Sequence, residues 1–369
     1  MINFKEGIVI KIVESYDNIT IVNVSIDEKI SKAINYNKLN GKIEVGDKVI
    51  LNTTAMDISL GTGGYHFIVY NYSFRNDYKC QGHIMKLRYT PFQMRCFTAE
   101  EKNTQYEDVF NKFDTLNKSI VIVGTLHSMV GPIAAMLKYL MPSINITYIM
   151  TDGGALPIYL SSNIRELKKK ELIDNTITIG HAFGGDMECI NIYSGLIAAK
   201  HIFKDDVTIV AMGPGIVGTG TKYGFSGIEQ GQIIDAVNNL DGTSITVPRI
   251  SFSDTRQRHR GISHHTITNL TNIMCTKTNL VLPYLKFKKR KIIKKQIIYN
   301  EIHKKHNVLY ENGKDINEIL DRYDLNITTM GRNFEKDKEY FFSLGAVGRW
   351  VIHFMNCHKT NTTLQKTSK

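Results

Sequence analysis

Groups able to move protons or bind ions recur in five short stretches of this chain. They are His127-Ser128; Thr151-Asp152-Gly153-Gly154; His181 with Gly184, Gly185 and Asp186; the run Gly213-Pro214-Gly215-Ile216-Val217-Gly218-Thr219-Gly220-Thr221; and Asp254 followed by Arg256, Arg258, His259, Arg260, His264 and His265. His127, Asp152, His181, Asp186 and Glu229 are the candidates for proton transfer, because imidazole and carboxyl groups can be tuned to exchange protons near neutral pH. His181, Asp186, Asp254, His259 and His264 are the candidate ligands of a divalent metal, since mixed nitrogen and carboxylate sets suit cations that activate water. No diagnostic spacing such as H-E-x-x-H supports a metal. His264 and His265 are adjacent, and neighbours on a helix point about 100° apart, so only one of them is expected to face a given site.

The glycine run contains G-x-G-x-x-G directly after an apolar strand-like segment. Gly213, Gly215, Gly218, Thr219, Gly220 and Thr221 would let backbone N–H groups approach an anion, and a following helix would add its positive end. Two features depart from a dinucleotide fingerprint. The loop continues through Lys222, Tyr223, Gly224 and Phe225 before a helix can start at Ser226, and the next strand ends in Arg249-Ile250 rather than in an acid. The expectation is therefore an anion- or nucleotide-cradling loop; the plainer reading is a flexible loop whose glycines serve turns. Arg256, Arg258 and Arg260 precede a helix that Ser263 can cap, and guanidinium forks beside a helix start suit a phosphate. Three arginines would repel a bare metal. Ser128 and Cys189 are weaker candidates for a nucleophile, better read as a cap and a core residue.

Each stretch follows an apolar run: "SIVIVGTL", "INITYIM", "NTITIG", "VTIVAM" and "SITVPRIS". Helical patterns separate these runs, and their nearly continuous Val, Ile and Thr content is that of buried parallel strands. Five strand–helix units in a row predict an α/β, doubly wound (Rossmann-like) parallel sheet over 119–275. Ligands of such sheets bind beyond the carboxyl ends of the strands. The opposite ends, "LNK", "MPS", "LIDN", "FKDD" and "LDG", carry no comparable chemistry. Residues 1–75 read as a small β-barrel-like domain, from "EGIVIKIVES", "ITIVNVSI", "KVILNTT" and "YHFIVYNY". Residues 83–118 read as connecting strands and a helix, and 276–369 as a basic, helical region that packs on the body.

The chain has 369 residues and a formal net charge of +11, which favours an anionic partner. Much of the surplus lies in "KFKKRKIIKKQ" (286–296), where Ile292, Ile293, Ile297, Ile298 and Ile302 follow helical spacing. A solvated basic face on a packed helix is the first reading there. The five cysteines are dispersed, no apolar run is long enough to span a membrane, and the first residues lack a secretion signal, so a cytoplasmic setting is expected.

The phrases "GHIMKLRYTPFQ", "LHSM", "MTDGGALP", "GHAFGGDMECINIYSGL", "AMGPGIVGTGTKYGFSGIEQG" and "VPRISFSDTRQRHRGISHHT" together resemble an uncharacterised bacterial protein family, domain of unknown function 3866. That family has no assigned activity, so the resemblance implies no catalytic residue or cofactor. On the residues alone, the expected function is an enzyme acting on a small phosphate-bearing or nucleotide-like substrate, by hydrolysis with or without a divalent metal. The alternative is a non-catalytic nucleotide- or nucleic-acid-binding regulator. A third reading makes the polar loops a subunit interface in a homo-oligomer.

Overall fold

Alternating and β-branched runs fold where the turn residues between them predict. The computed structural model describes residues 2–58, 63–75 and 82–367, with side chains through Cys357. The chain forms two compact units, Met1–Phe97 and Thr98–Lys369.

In the first unit β1 (Phe4–Ser15), β2 (Ile19–Ile26), β3 (Lys29–Tyr36), β4 (Lys48–Asn52) and β5 (His66–Asn71) close into a barrel in the order β1-β2-β3-β5-β4. Val9, Val22, Val24, Ala33, Val49, Leu51 and Ile68 fill it. Four of these strands are the expected runs. The fifth, β3, reads "KISKAINY"; its lysines and Ile30 face outward while Ala33 and Ile34 face the core, so it lacks a clean apolar alternation. The short strands β6 (Ile84–Lys86) and β7 (Met94–Cys96) pair antiparallel, broken where Thr90-Pro91 predicts.

The second unit holds an eight-stranded, all-parallel sheet. Its strands are β8 (Ile120–Val123), β9 (Ile146–Thr151), β10 (Asn175–Thr178), β11 (Met187–Glu188), β12 (Val207–Met212), β13 (Thr243–Thr246), β16 (Asn279–Pro283) and β17 (Asn307–Glu311), in the order β11-β10-β9-β12-β8-β13-β16-β17. Every residue of β8, β9 and β12 is buried, which is why these strands read as unbroken apolar runs. Helix Val130–Leu140 packs with the terminal helix Lys338–Thr367, and helix Ile192–His201 packs with helix Glu229–Asn239. The buried Phe341, Leu344, Val347 and Val351 hold the terminal helix in place, at about 1.5–3 kcal/mol each. A Cβ on Gly348 would lie 2.8 Å from Met136, so only glycine lets the two helices approach this closely.

From β8 and β9 the chain leads toward the β11 edge, and from β12 and β13 toward the β17 edge. The adjacent pairs β9/β12 and β8/β13 therefore diverge, and each divergence opens a crevice at the strand ends.

Three expectations change. The run "SITVPRIS" is not one strand: Pro248 ends β13, and β14 (Ile250–Ser251) instead pairs antiparallel with β15 (Gly261–Ile262). The polar segment 100–118 holds only the short helix Glu107–Asn111. In the basic helix Phe287–Tyr299, Ile293 and Ile297 are buried while Ile292 and Ile298 are exposed, so its apolar stripe is narrower than the spacing implies.

Candidate active site

The β9/β12 crevice is acidic. Asp152 follows the last residue of β9, and Glu229 is the first residue of helix Glu229–Asn239. Thr151 Oγ1 donates to Glu229 Oε1 at 2.6 Å, and the His181 backbone N–H donates to Asp152 Oδ2 at 3.0 Å. Two glycines make room for the carboxyl groups. A Cβ on Gly153 would sit 2.9 Å from Glu229 Oε2. One on Gly180 would sit 2.2 Å from Asp152 Oδ2, at a φ of +63° that itself favours glycine. Thr151, Asp152, Gly180, Asn191, Tyr193 and Glu229 line a cleft of about 490 Å³, with Ile179, Ile190, Ile192 and Ile233 as its apolar wall. Burial pushes the Glu229 carboxyl up to about 7; the Asp152 charge adds to the rise and the Thr151 hydroxyl opposes it.

Beyond β13 lies a second group, of basic and aromatic character. Asp254 accepts Arg256 through both oxygens, Nε at 2.9 Å and NH2 at 2.8 Å, and Arg249 at 3.3 Å; Arg332 lies 3.7 Å away. The Arg256 hydrogen bonds hold the Asp254 carboxyl well below the usual carboxylate range despite its burial. His259 Nδ1 meets Ser263 Oγ at 2.7 Å, and Ser263 caps the helix His264–Thr268. The His259 ring centroid lies 4.9 Å from His264 and 5.1 Å from His265, and the last two lie 4.2 Å apart. His265 stacks on Phe225 at 4.0 Å. Burial lowers all three imidazoles. His259 falls to about 3, with Arg249 and Arg256 adding, and His265 to about 3, with its two histidine neighbours adding.

The glycine-rich segment reaches both groups. The Ala155 N–H donates to the Pro214 carbonyl at 2.8 Å, against the loop that follows Asp152. Further on, a Cβ on Gly218 would lie 3.5 Å from the His265 ring, and one on Gly220 would lie 3.5 Å from the Arg258 guanidinium. Between these points the segment folds back on itself: Gly218 bridges Phe225, and the Thr219 N–H donates to the Gly224 carbonyl.

Several expected members stand elsewhere. Asp186 accepts from Lys168 Nζ and from the backbone and hydroxyl of Thr176, near the start of β10, so the strand ends lose it as a base or a ligand. Both oxygens of Asp254 accept from Arg256, so these two expected members are paired with each other. His127 bridges Ser161 Oγ at 2.6 Å and the Met212 carbonyl at 3.3 Å, and burial lowers it to about 4. Ser161 is 4% exposed and its Oγ caps helix Ser162–Lys169. His181 reaches the acidic group through its backbone. Glu229 itself occupies the helix start that an anion was expected to use. His264 and His265 do converge, because they sit at the very start of their helix, over its end, where His259 also lies.

Residues 32–348 match the family described as protein of unknown function (DUF3866). The chain belongs to that family. The DUF3866 match spans every candidate residue from His127 to His265. No curated protein matches the chain. Among solved structures, a crystal structure of FlhF complexed with GMPPNP/Mg(2+) is similar at 14% identity and a TM-score of 0.21, over 58% of this chain and 80% of that one.

Sequence reasoning missed three members of these two groups. His265 was set aside on helical geometry. Thr151 stands in one of the five stretches, but the contact of its hydroxyl with Glu229 has no signal in the sequence. Arg332 and Asp337 come from the distant C-terminal region, where Asp337 accepts from Ser251 and Arg332, and no local pattern links them to Asp254.

Proposed function

We propose that the strand ends of the parallel sheet form the active site of a hydrolase acting on a small phosphate-bearing or nucleotide-like substrate, with Glu229 as the general acid and base. The observation that carries this reading is a carboxyl raised to about 7 on the wall of a 490 Å³ cleft, beside a second carboxyl. Paired carboxyl groups whose surroundings push their proton affinities apart divide acid and base work between them, and a group poised near the working pH transfers protons best. Asp152 accepts the His181 N–H and would orient the attacking water.

The anionic part of the substrate is read from the other arm of the loop. Arg258 and Arg260 are exposed and make no ion pair among the described residues, and Arg258 borders Gly220. Gly215 has a φ of +106° with open space around it, which suits close approach of a ligand. The cysteines Cys275 and Cys357 are free, which fits a reducing, cytoplasmic setting, whereas Cys80 lies outside the described residues. No described helix is long and apolar enough to cross a membrane.

The test is a hydrolysis screen of the purified chain against p-nitrophenyl phosphate and a panel of nucleotides, with and without added Mn²⁺ or Zn²⁺. Turnover that Glu229→Gln abolishes, while the variant keeps its circular dichroism spectrum, is the expected result. Turnover unchanged in Glu229→Gln would remove Glu229 from the mechanism. A full panel without turnover, combined with tight salt-sensitive oligonucleotide binding, would favour the nucleic-acid-binding alternative.

A further inference from the structure

We infer that His259, His264 and His265 form a metal site for one divalent cation of borderline softness, with Zn²⁺ the best fit. One ring nitrogen of each lies within 4.8 Å of the other two. Three imidazoles around tetrahedral zinc stand about 3.3 Å apart at Zn–N distances of 2.0–2.1 Å, so small side-chain rotations close the set. All three come from one short segment that β14, β15 and the helix His264–Thr268 hold in place.

Two independent observations point to a ligand. First, His264 Nε2 and His265 Nδ1 are buried and have no hydrogen-bond partner. A buried imidazole nitrogen without a partner costs stability, and a cation would repay that cost at both positions at once. Second, His259 is already dressed as a metal ligand. Its Nδ1 is engaged by Ser263 Oγ at 2.7 Å, which fixes the ring and leaves Nε2 as the coordinating atom. Ligating histidines almost always hold their other nitrogen in this way, and that bond sets the tautomer.

The arginines nearby do not forbid a cation. Arg249 and Arg256 are spent on the Asp254 carboxylate, and Arg332 divides itself between Asp254 and Asp337. The excess positive charge that remains, chiefly Arg258 beside Gly220, suits a site whose open coordination position takes an anion or hydroxide. The ligand set of three neutral nitrogens selects against Mg²⁺ and Ca²⁺, which prefer oxygen. The identity of the anion rests on the hydrolase reading above, but the metal does not.

The experiment separates the two. The full chain, purified without chelator or affinity metal, is assayed by elemental analysis. The EDTA-treated chain is then titrated with Zn²⁺ alone by calorimetry and with Co²⁺ by visible spectroscopy. The expected results are one metal per chain, one tight Zn²⁺ site, and a Co²⁺ spectrum with the strong visible bands of four-coordinate nitrogen ligation. His259→Ala and His265→Ala should each remove the site, while His303→Ala, an exposed histidine elsewhere, should not. Ser263→Ala should weaken Zn²⁺ by about 10–100-fold through the lost partner of His259. If the histidine variants do not fold, the wild-type Co²⁺ spectrum decides alone: octahedral oxygen-type bands, or no binding at micromolar metal, overturn the proposal. Zn²⁺ binding equal in wild type, His259→Ala and His265→Ala would overturn it as well. A bound metal together with a fully inactive hydrolysis panel would leave the metal site standing and sink the hydrolase reading.

Discussion

Glu229 and Asp254 are both carboxyl groups at the same edge of one sheet, and the protein treats them in opposite ways. Asp254 is nearly inaccessible, yet its proton affinity is lowered, because Arg256 grips both oxygens and Arg249 a third lone pair. Glu229 has its affinity raised to about 7, because burial disfavours its charge and a second acid stands close by, with the Thr151 hydroxyl offsetting only part of the rise. The difference teaches how to separate structure from chemistry in this molecule. A charge that is fully paired is locked, holding β14 and the loop after it to the C-terminal region. A carboxyl that is left partly unsatisfied beside a cleft is the one available to exchange a proton.

Removing the locked group is the harshest way to break the contrast. Asp254→Ala would leave the buried Arg249 without its counter-ion, and breaking a buried pair in this way costs about 3–5 kcal/mol. Denaturant unfolding at pH 7 checks it; a loss below about 1 kcal/mol would mean that water or Asp337 compensates. The pH dependence has a definite sign. Because the folded affinity is depressed, Asp254 stabilises the fold above its unfolded value near 3.9, and that contribution is lost as pH falls toward its folded value. Acid melts of the wild type should therefore show a stability loss below about pH 4 that Asp254→Ala lacks.

Glu229→Gln sharpens the other side. Turnover should fall at least about 100-fold, the usual contribution of a positioned acid or base. Stability should move the opposite way. A raised folded affinity means that the fold disfavours the ionised form, so the penalty is absent below pH 4.5, grows as pH rises through 7, and is complete above it. Glu229→Gln should thus be more stable than wild type at pH 8, on the order of 1 kcal/mol, and indistinguishable from it near pH 4. Thermal melts at the two pH values read this directly. Equal stability at both would show that Glu229 is solvated in the free protein and would remove the reason for choosing it.

Much of this contrast was open to inspection in the chain itself. The parallel sheet was legible because β8, β9 and β12 are buried on both faces, and burial on both faces forces uninterrupted Val, Ile and Thr. The strand-end rule then pointed to Asp152 and the histidines, and a helix start pointed to Glu229. Pairing was legible only in part. Asp254 stands where it can orient one of the arginines or histidines that follow it, but Asp186 looks in the sequence like Asp152, and only the fold shows that Lys168 and Thr176 claim it and that Arg249 and Arg332 join Arg256 at Asp254. Nor was the convergence of His264 and His265 legible, because a rule for the flank of a helix does not hold over its end. The strand β17 and the residues Arg332 and Asp337 escaped for a related reason: each acquires its role from a partner far away in the chain.

The arginines offer the smallest and most discriminating test. Arg256 and Arg258 are two positions apart and both exposed, but Arg256 is bound to Asp254 while Arg258 faces the Gly220 turn without an ion pair among the described residues. If pairing is what divides structure from function here, the same truncation should have different consequences at the two positions. Arg256→Ala should cost about 1–2 kcal/mol of stability, since it strips two charge-assisted hydrogen bonds from a buried carboxylate that keeps Arg249. Arg258→Ala should leave stability within about 0.5 kcal/mol, as surface substitutions do, yet raise KM for an anionic substrate about tenfold, with the wild-type advantage shrinking as salt increases. Paired unfolding curves and KM values at low and high ionic strength measure both. Should Arg258→Ala destabilise the fold as much as Arg256→Ala while leaving KM unchanged, the loop would be a structural turn and the anion would have to bind elsewhere.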